Sequence, residues 1–170
     1  ALQHPPIQLD ARSAAQLLAT GGRADLANQQ AARAVEQLSL PAQGDIEIEL
    51  AIPSLMGLGS AGMLGLSVAQ ALLALHDQPA TDAAALADAA GLSRPEALEL
   101  HAFAHGGLLQ VAADGQLLRR AEIAHDEDNA WVWVLVLPRL TVGADETLEA
   151  QRRGALLAAT ASADDGAALG

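Results

Sequence analysis

One segment constrains the fold more than any other, DIEIELAIPSLMGLGSAGMLGLSVAQALLAL at positions 45–75. Residues 46–50 alternate isoleucine or leucine with glutamate, the period-two pattern of a half-buried strand. Pro53 ends the strand because proline has no N–H to donate to a ladder. Three glycines follow within six positions, and residues 60–75 are helix-compatible. The segment therefore predicts a strand, a glycine-rich turn and a long apolar helix.

Such a turn is suited to a phosphate. A glycine-rich turn that opens a helix leaves unpaired N–H groups directed at one spot, and the helix dipole adds partial positive charge there. The residues that would contact the anion are consecutive: Gly57, Leu58, Gly59, Ser60, Ala61 and Gly62. We take this turn as the main functional signal of the sequence.

Two other interpretations of the segment are open. Residues 52–75 contain no charged side chain and are long enough to span a bilayer. Pro53, the three glycines and the charged strand that runs directly into the segment argue against a membrane span. The other alternative is a core helix entered by a turn that binds nothing, because a glycine pattern alone is weak support for a ligand site.

Composition limits the function classes. A chain of 170 residues with 51% hydrophobic residues has the length of one domain and can bury a core. Its formal charge of −12, from nine arginines, no lysine and 21 acidic residues, argues against general nucleic-acid binding. The lack of cysteine excludes disulfides and thiolate sites. With no signal peptide visible, we expect a cytoplasmic protein that is not membrane-bound.

The remaining pattern predicts alternating strands and helices. Further strands are expected at 7–12, 15–19 and 131–137, and a hairpin at 108–112 and 116–123. Helices are expected at 23–38, at 82–90 and from Ser93 to about Phe103. For the helix at 82–90, Thr81 is the expected N-cap and Gly91 the expected stop. In the helix at 23–38, Leu26, Ala31, Ala34, Val35 and Leu38 mark the apolar face, with Arg33, Glu36 and Gln37 outside. The pattern is typical of an α+β protein with a two-layer α/β sandwich.

Three blocks of the sequence resemble a known family. The run at 53–61, PSLMGLGSA, resembles the phosphate loop of the GHMP kinase superfamily. Within that superfamily the chain is most similar to β-ribofuranosylaminobenzene 5′-phosphate synthase and its homologues. These also carry an Ala-Phe-x-x-Gly-Gly segment that enters a strand, matched at 102–107, and a hydrophobic strand that ends in Pro-Arg, matched at 131–139. The order and spacing of the blocks agree over residues 24–139.

The resemblance implies a fold and an activity. Residues 1–140 would form a GHMP-kinase-like N-terminal domain, incomplete at its start, and residues 141–170 a linker and first helix of a missing C-terminal domain. The family's reaction would condense phosphoribosyl pyrophosphate with an aminobenzoate-type acid, with loss of CO₂ and pyrophosphate, for a methanopterin-type cofactor. Mg²⁺ would assist, and Arg94 would contact a substrate phosphate. The expected partners are a phosphorylated small molecule and a second copy of the chain.

The sequence also departs from the family. GHMP kinases place an aspartate in a Ser-Gly-x-Asp segment, where this chain has SRPEALE at 93–99. Without that group, phosphoryl transfer loses part of its machinery, so an ATP-dependent small-molecule kinase ranks second. The synthase's Arg-Ser-Gly-Ile-Gly stretch is not kept either. A third hypothesis is a non-catalytic dimerising domain with a vestigial phosphate loop.

Other groups carry weaker signals. His101 and His105 lie four residues apart with Glu99 nearby, but we expect hydrogen-bonded structural histidines and no metal site. Arg94 is equally consistent with an ordinary helix-terminal residue. We expect Arg119 and Arg120 at the surface. For the rest, the expectation is a solvated acidic turn at 126–128, and core or interface positions for Trp131 and Trp133.

Overall fold

A computed structural model describes residues 7–54, 58–92 and 97–121. Within these ranges the elements are, in chain order, β1 (Gln8–Arg12), β2 (Leu17–Gly21), α1 (Ala24–Gln37), β3 (Gly44–Leu50), α2 (Ser60–Leu75), α3 (Ala83–Ala89), α4 (Ala97–His105), β4 (Leu108–Val111) and β5 (Leu117–Ala121). The described residues have an α+β fold, which confirms the predicted class.

The larger sheet has three strands in the order β1-β3-β2. β1 runs antiparallel to β3, whereas β2 runs parallel to it. Parallel neighbours require a crossover connection, and α1 provides it. β2 begins two residues later than predicted, because its pairing with β3 runs from Leu17 opposite Gly44 to Gly21 opposite Ile48.

The alternation predicted for β3 is correct in its central part. Ile46 and Ile48 are buried, and Glu47 and Glu49 are exposed. Leu50, expected on the buried face, is instead 48% exposed. The register with β1 shifts at this end of the strand, so that Leu50 lies beyond the core.

The core is formed between the sheet and the helices. α1 buries Ala31, Ala34 and Val35 as predicted, and its polar face is exposed where expected. Leu26 and Leu38 are only half-buried. The fully buried leucines of α2, Leu64, Leu66 and Leu72, belong to the same cluster as Ile46 and Ile48 of β3.

α2 begins at Ser60 and ends at Leu75, as predicted. Its 16 residues fall short of the roughly 20 that a membrane-spanning helix needs. Among the described residues, no helix is long and apolar enough to cross a membrane.

α3 differs from the prediction at its start. Asp82, not Thr81, is the N-cap: its carboxylate accepts a hydrogen bond from Ala85 N at 2.8 Å. Gly91 lies after the last turn with a positive φ of 68°, which confirms it as the stop.

The hairpin predicted after α4 is confirmed. β4 and β5 pair antiparallel around a turn in which Gly115 has a φ of +90°. α4 runs to His105, two residues further than predicted. The predicted start of its helix at Ser93, the acidic turn at 126–128 and the strand at 131–137 lie outside the described residues.

Candidate functional site

The loop before α2 has the geometry that the glycine pattern predicts. Gly59 is the N-cap residue, in the left-handed region with φ 63° and ψ 28°, and no side chain caps the helix. The first backbone bond of the helix runs from Met63 N to Gly59 O at 2.9 Å. The N–H groups of Ser60, Ala61 and Gly62 belong to the first turn of the helix, and no carbonyl of the helix is placed to accept a hydrogen bond from them.

Arg23, which lies between the end of β2 and the start of α1, contacts this loop, which follows the neighbouring parallel strand β3. Its Nη1 donates a hydrogen bond to Ser60 Oγ at 2.9 Å in a half-buried position. Arg23 itself is the N-cap of α1 and has a left-handed backbone, φ 60° and ψ 33°. A guanidinium therefore lies at the first residue of α2, where the helix dipole also favours an anion.

Two sets of hydrogen bonds fix the backbone on either side of Arg23. Gly22 N donates to Ile48 O at 3.0 Å, which ties the residue before Arg23 to β3. Asn28 pairs its side-chain amide with the backbone N–H and carbonyl of Ala19, both at 2.8 Å, which fixes α1 on β2. The site is thus built on the sheet and not on a loop alone.

Glu99 of α4 lies on the other side of the glycines. A methyl group placed on Gly59 would come within 2.6 Å of Glu99 Oε1, and one placed on Gly62 would overlap Glu99 Oε2. The carboxylate occupies space that any side chain at either position would fill. The two glycines therefore let this carboxylate approach the backbone closely, and at Gly59 the positive φ of 63° independently favours glycine.

Gln30 supports the same turn from inside the core. It is 4% exposed, and its Nε2 donates to Ala61 O at 2.9 Å. Its Oε1 is buried and has no hydrogen-bond partner among the described residues. Gly65 makes room for this side chain, because a methyl group there would lie 2.9 Å from Nε2.

The two histidines of α4 have a structural arrangement. His101 Nε2 lies 3.1 Å from Gly115 O, which links α4 to the turn of the hairpin, and the rings of His101 and His105 stack at 5.9 Å. Within the described ranges no group of three or more histidine, aspartate or glutamate side chains is arranged to hold a metal ion. Arg119 and Arg120 are exposed, as expected.

The structure brings together part of the predicted site and adds to it. Leu58, Gly59, Ser60, Ala61 and Gly62 are consecutive at the loop, whereas Gly57 and Arg94 lie outside the described residues. Sequence reasoning missed Arg23, Gln30 and the approach of Glu99. For Gln30 a signal existed, since it lies four residues before Ala34 on the apolar face. No local pattern marks the contact of Arg23.

Comparison of the chain with models of known families gives no match, and comparison with curated proteins gives none either. The resemblance to the GHMP kinase superfamily therefore stays a prediction that rests on the three sequence blocks.

Proposed function

We propose that this chain contains the phosphate- or pyrophosphate-binding domain of an enzyme similar to β-ribofuranosylaminobenzene 5′-phosphate synthase. The observation that carries the proposal is the convergence of the Arg23 guanidinium and the α2 N-terminus at Ser60. Backbone N–H groups, a helix dipole and a guanidinium are the three kinds of group that proteins combine to hold phosphate oxygens. The choice of this enzyme family rests on the resemblance of the sequence blocks at 53–61, 102–107 and 131–139.

In this function the loop would bind the pyrophosphate of phosphoribosyl pyrophosphate. The N–H groups of Ser60, Ala61 and Gly62 would donate to its oxygens, and Gly59 would let the backbone approach without a Cβ in the way. Arg23 would exchange its bond to Ser60 Oγ for a charge-assisted bond to the anion. Holding these donors on a fixed sheet and helix favours the negative charge that the leaving group gains in the transition state.

Mg²⁺ is the cofactor that the resemblance implies. Glu99 fits it, because proteins usually hold Mg²⁺ by one or two carboxylates together with substrate phosphates, and this carboxylate lies at the glycines of the loop. When bound, the ion would neutralise charge on pyrophosphate and make it a better leaving group. The part of this chain would be to present Glu99 and the loop on the same side of α2.

The direct test is the reaction itself. The full chain is incubated with phosphoribosyl pyrophosphate, Mg²⁺ and carboxyl-labelled 4-aminobenzoate, and released CO₂ and pyrophosphate are measured. Release of both in equal amounts, lost in Gly59→Val, is the expected result. If neither product forms although the chain binds pyrophosphate, the proposed reaction is wrong, but the proposal of a phosphate-binding domain still stands.

The second candidate is an ATP-dependent small-molecule kinase, and Glu99 is the observation that favours it. The sequence lacks the family's Ser-Gly-x-Asp segment, but the structure places a carboxylate at the glycines of the loop. Such a group could organise a metal or accept the proton of a substrate hydroxyl. A higher melting temperature with ATP and Mg²⁺, absent with phosphoribosyl pyrophosphate, would favour the kinase. If no phosphate ligand binds, the dimerising domain with a vestigial loop is the better description.

A further inference from the structure

β2 is the outer strand of the larger sheet within the described ranges, and part of its backbone faces away from β3. Gln16 O accepts a hydrogen bond from β3 at 3.3 Å, and Gly22 N donates one to β3 at 3.0 Å. Because the direction of the backbone groups alternates along a strand, Leu17, Ala19 and Gly21 direct theirs away from β3. These three residues form the outer edge of β2.

Asn28 of α1 occupies the middle of this edge. Its Oδ1 accepts a hydrogen bond from Ala19 N and its Nδ2 donates one to Ala19 O, both at 2.8 Å. Nδ2 also donates to Ala24 O at 2.9 Å, which fixes the carboxamide on α1. A carboxamide has the same donor and acceptor as a peptide group, so Asn28 makes the two hydrogen bonds that a residue on an added antiparallel strand would make. Ala19 therefore cannot pair with a further strand while these bonds hold.

The sequence of β2 lacks the features that usually protect an outer strand. Natural sheets protect such strands with charged side chains or proline, and residues 13–22 contain neither. Leu18, in the middle of β2, is 53% exposed. The opposite outer strand, β1, carries the exposed charged residues Asp10 and Arg12. An uncharged outer strand with an exposed leucine is predicted to pair with other strands unless something blocks it.

The edge is complementary to a second copy of itself. In an antiparallel pair centred on Ala19, each Ala19 meets its counterpart and each Leu17 meets Gly21, so that all outward N–H and C=O groups of the strand are paired. Leu18 then faces Thr20 of the second copy. Both side chains are exposed and uncharged, so the pairing brings no like charges together.

We infer that the outer edge of β2 is a latent self-association surface, and that the Asn28 side chain holds it closed. The occupant of the opened edge is a second copy of this chain, paired antiparallel through β2. Since the closing side chain belongs to α1, local unfolding of α1 would open the surface. The inference is independent of the proposed function, because it uses no contact of the loop before α2.

The first test uses the wild-type chain. Hydrogen exchange followed by NMR measures the backbone N–H groups of β2 one by one, with rates corrected for the intrinsic rate of each residue. Ala19 N–H should exchange at least tenfold more slowly than the N–H groups of Leu17 and Gly21, which no side chain protects among the described residues. Equal rates at the three positions would show that Asn28 does not close the edge, and would overturn the inference.

The second test opens the edge. Asn28→Ala removes the carboxamide, and Gln29→Ala is the matched control, because Gln29 is exposed on the same helix. Light scattering after size-exclusion chromatography gives the mass at several concentrations, and thermal unfolding shows whether each variant is folded. Where Asn28→Ala does not fold, Asn28→Ser, which keeps a hydroxyl for one of the two bonds, takes its place. The mass of the Asn28 variant should rise with concentration above the wild-type mass, whereas Gln29→Ala should match the wild type. A folded Asn28 variant with the wild-type mass at every concentration would overturn the inference.

The third test identifies the surface that pairs, and it uses the lack of cysteine in the natural chain. Leu18→Cys together with Thr20→Cys places each thiol opposite the other in the proposed pair, at a Cα separation that a disulfide can span. Combined with Asn28→Ala, these changes should give covalent dimers under oxidising conditions, and with Asn28 retained they should not. Leu108→Cys in the Asn28→Ala chain controls for random collision, because Leu108 is equally exposed at 53%. Equal yields of covalent dimer from the two pairs of chains would show that association uses another surface, and would overturn the inference.

Discussion

Arg23 Nη1 donates a hydrogen bond to Ser60 Oγ across 2.9 Å and thereby joins the N-terminal ends of α1 and α2. The backbone of Arg23 is left-handed, a conformation that costs a non-glycine residue on the order of 1–3 kcal/mol. Residues held in such a conformation by their surroundings are concentrated at functional sites. Arg23 therefore has two roles: its backbone forms a left-handed turn, and its guanidinium binds Ser60. A substitution can remove the guanidinium and keep the turn.

Arg23→Gly should weaken pyrophosphate binding at least tenfold without lowering the free energy of unfolding. Glycine adopts the φ of 60° without strain, so the turn is kept while the guanidinium is lost. Arg23→Lys should retain part of the binding, because the charge remains but the planar fork does not. Calorimetry gives the affinity, and urea unfolding gives the stability. Wild-type affinity in Arg23→Gly would show that the guanidinium does not contact the ligand.

Gly59→Val should abolish binding of phosphate ligands and cost a few kcal/mol of stability. Valine is strained at a φ of 63°, and its side chain would run into Glu99 Oε1. Gly91→Val is the matched control, because Gly91 has a similar φ of 68° at the end of α3. Both variants should lose stability in urea unfolding, but only Gly59→Val should lose binding in titrations on folded protein. If folded Gly59→Val binds phosphate ligands as tightly as wild type, the loop only begins the helix and does not bind phosphate.

Ser60→Ala should have a milder effect. In the structure its hydroxyl accepts a hydrogen bond from Arg23. Once Arg23 turns to the anion, the hydroxyl would donate one hydrogen bond to the ligand, which contributes about 1 kcal/mol, or roughly fivefold in affinity. The same titrations measure it. A loss as large as that of Gly59→Val would mean that the hydroxyl, and not the backbone, provides most of the binding.

Local periodicity explains which parts of the fold were predictable. The alternation around Ile46 and Ile48, the apolar run of α2 and the Asp114-Gly115 turn are each decided within a few residues. The parallel pairing of β2 with β3 is not, because it depends on where α1 returns the chain. The predicted start of β2 was wrong for this reason, and the predicted burial of Leu50 was wrong because the register between β1 and β3 shifts at that end of the strand.

The site divides in the same way. The glycine-rich turn before α2 was predicted from the spacing of glycines before an apolar run, and in the structure Gly59 has a positive φ of 63° at this turn. Arg23 lies 37 residues before its partner Ser60, and Glu99 comes from a later helix. Contacts of this kind follow from the packing of elements and leave no trace in the spacing of residue types.

Asp82→Ala should lower the free energy of unfolding by about 1 kcal/mol, whereas Thr81→Ala should change it by less than about 0.5 kcal/mol. Aspartate and threonine are both good N-caps, so sequence rules did not separate the two neighbours. In the structure only the Asp82 carboxylate accepts from Ala85 N, at 2.8 Å. Urea unfolding of both variants decides between them. A larger loss of stability in Thr81→Ala than in Asp82→Ala would show that Thr81 is the N-cap.

Gln30 offers the sharpest test of the packing beneath the loop. Its Nε2 donates to Ala61 O, while its buried Oε1 has no partner among the described residues. Gln30→Met keeps the length and removes both polar atoms, so the lost hydrogen bond is offset by relief of the unpaired oxygen, and the stability should change by less than about 1 kcal/mol. Gln30→Glu places a carboxylate where 4% of the residue is exposed, and should cost about 3 kcal/mol or more at neutral pH. Urea unfolding at pH 7 measures both. Equal stability of the methionine and glutamate variants would show that this side chain is hydrated, and that α1 packs less closely on α2 than the contacts at Gly65 indicate.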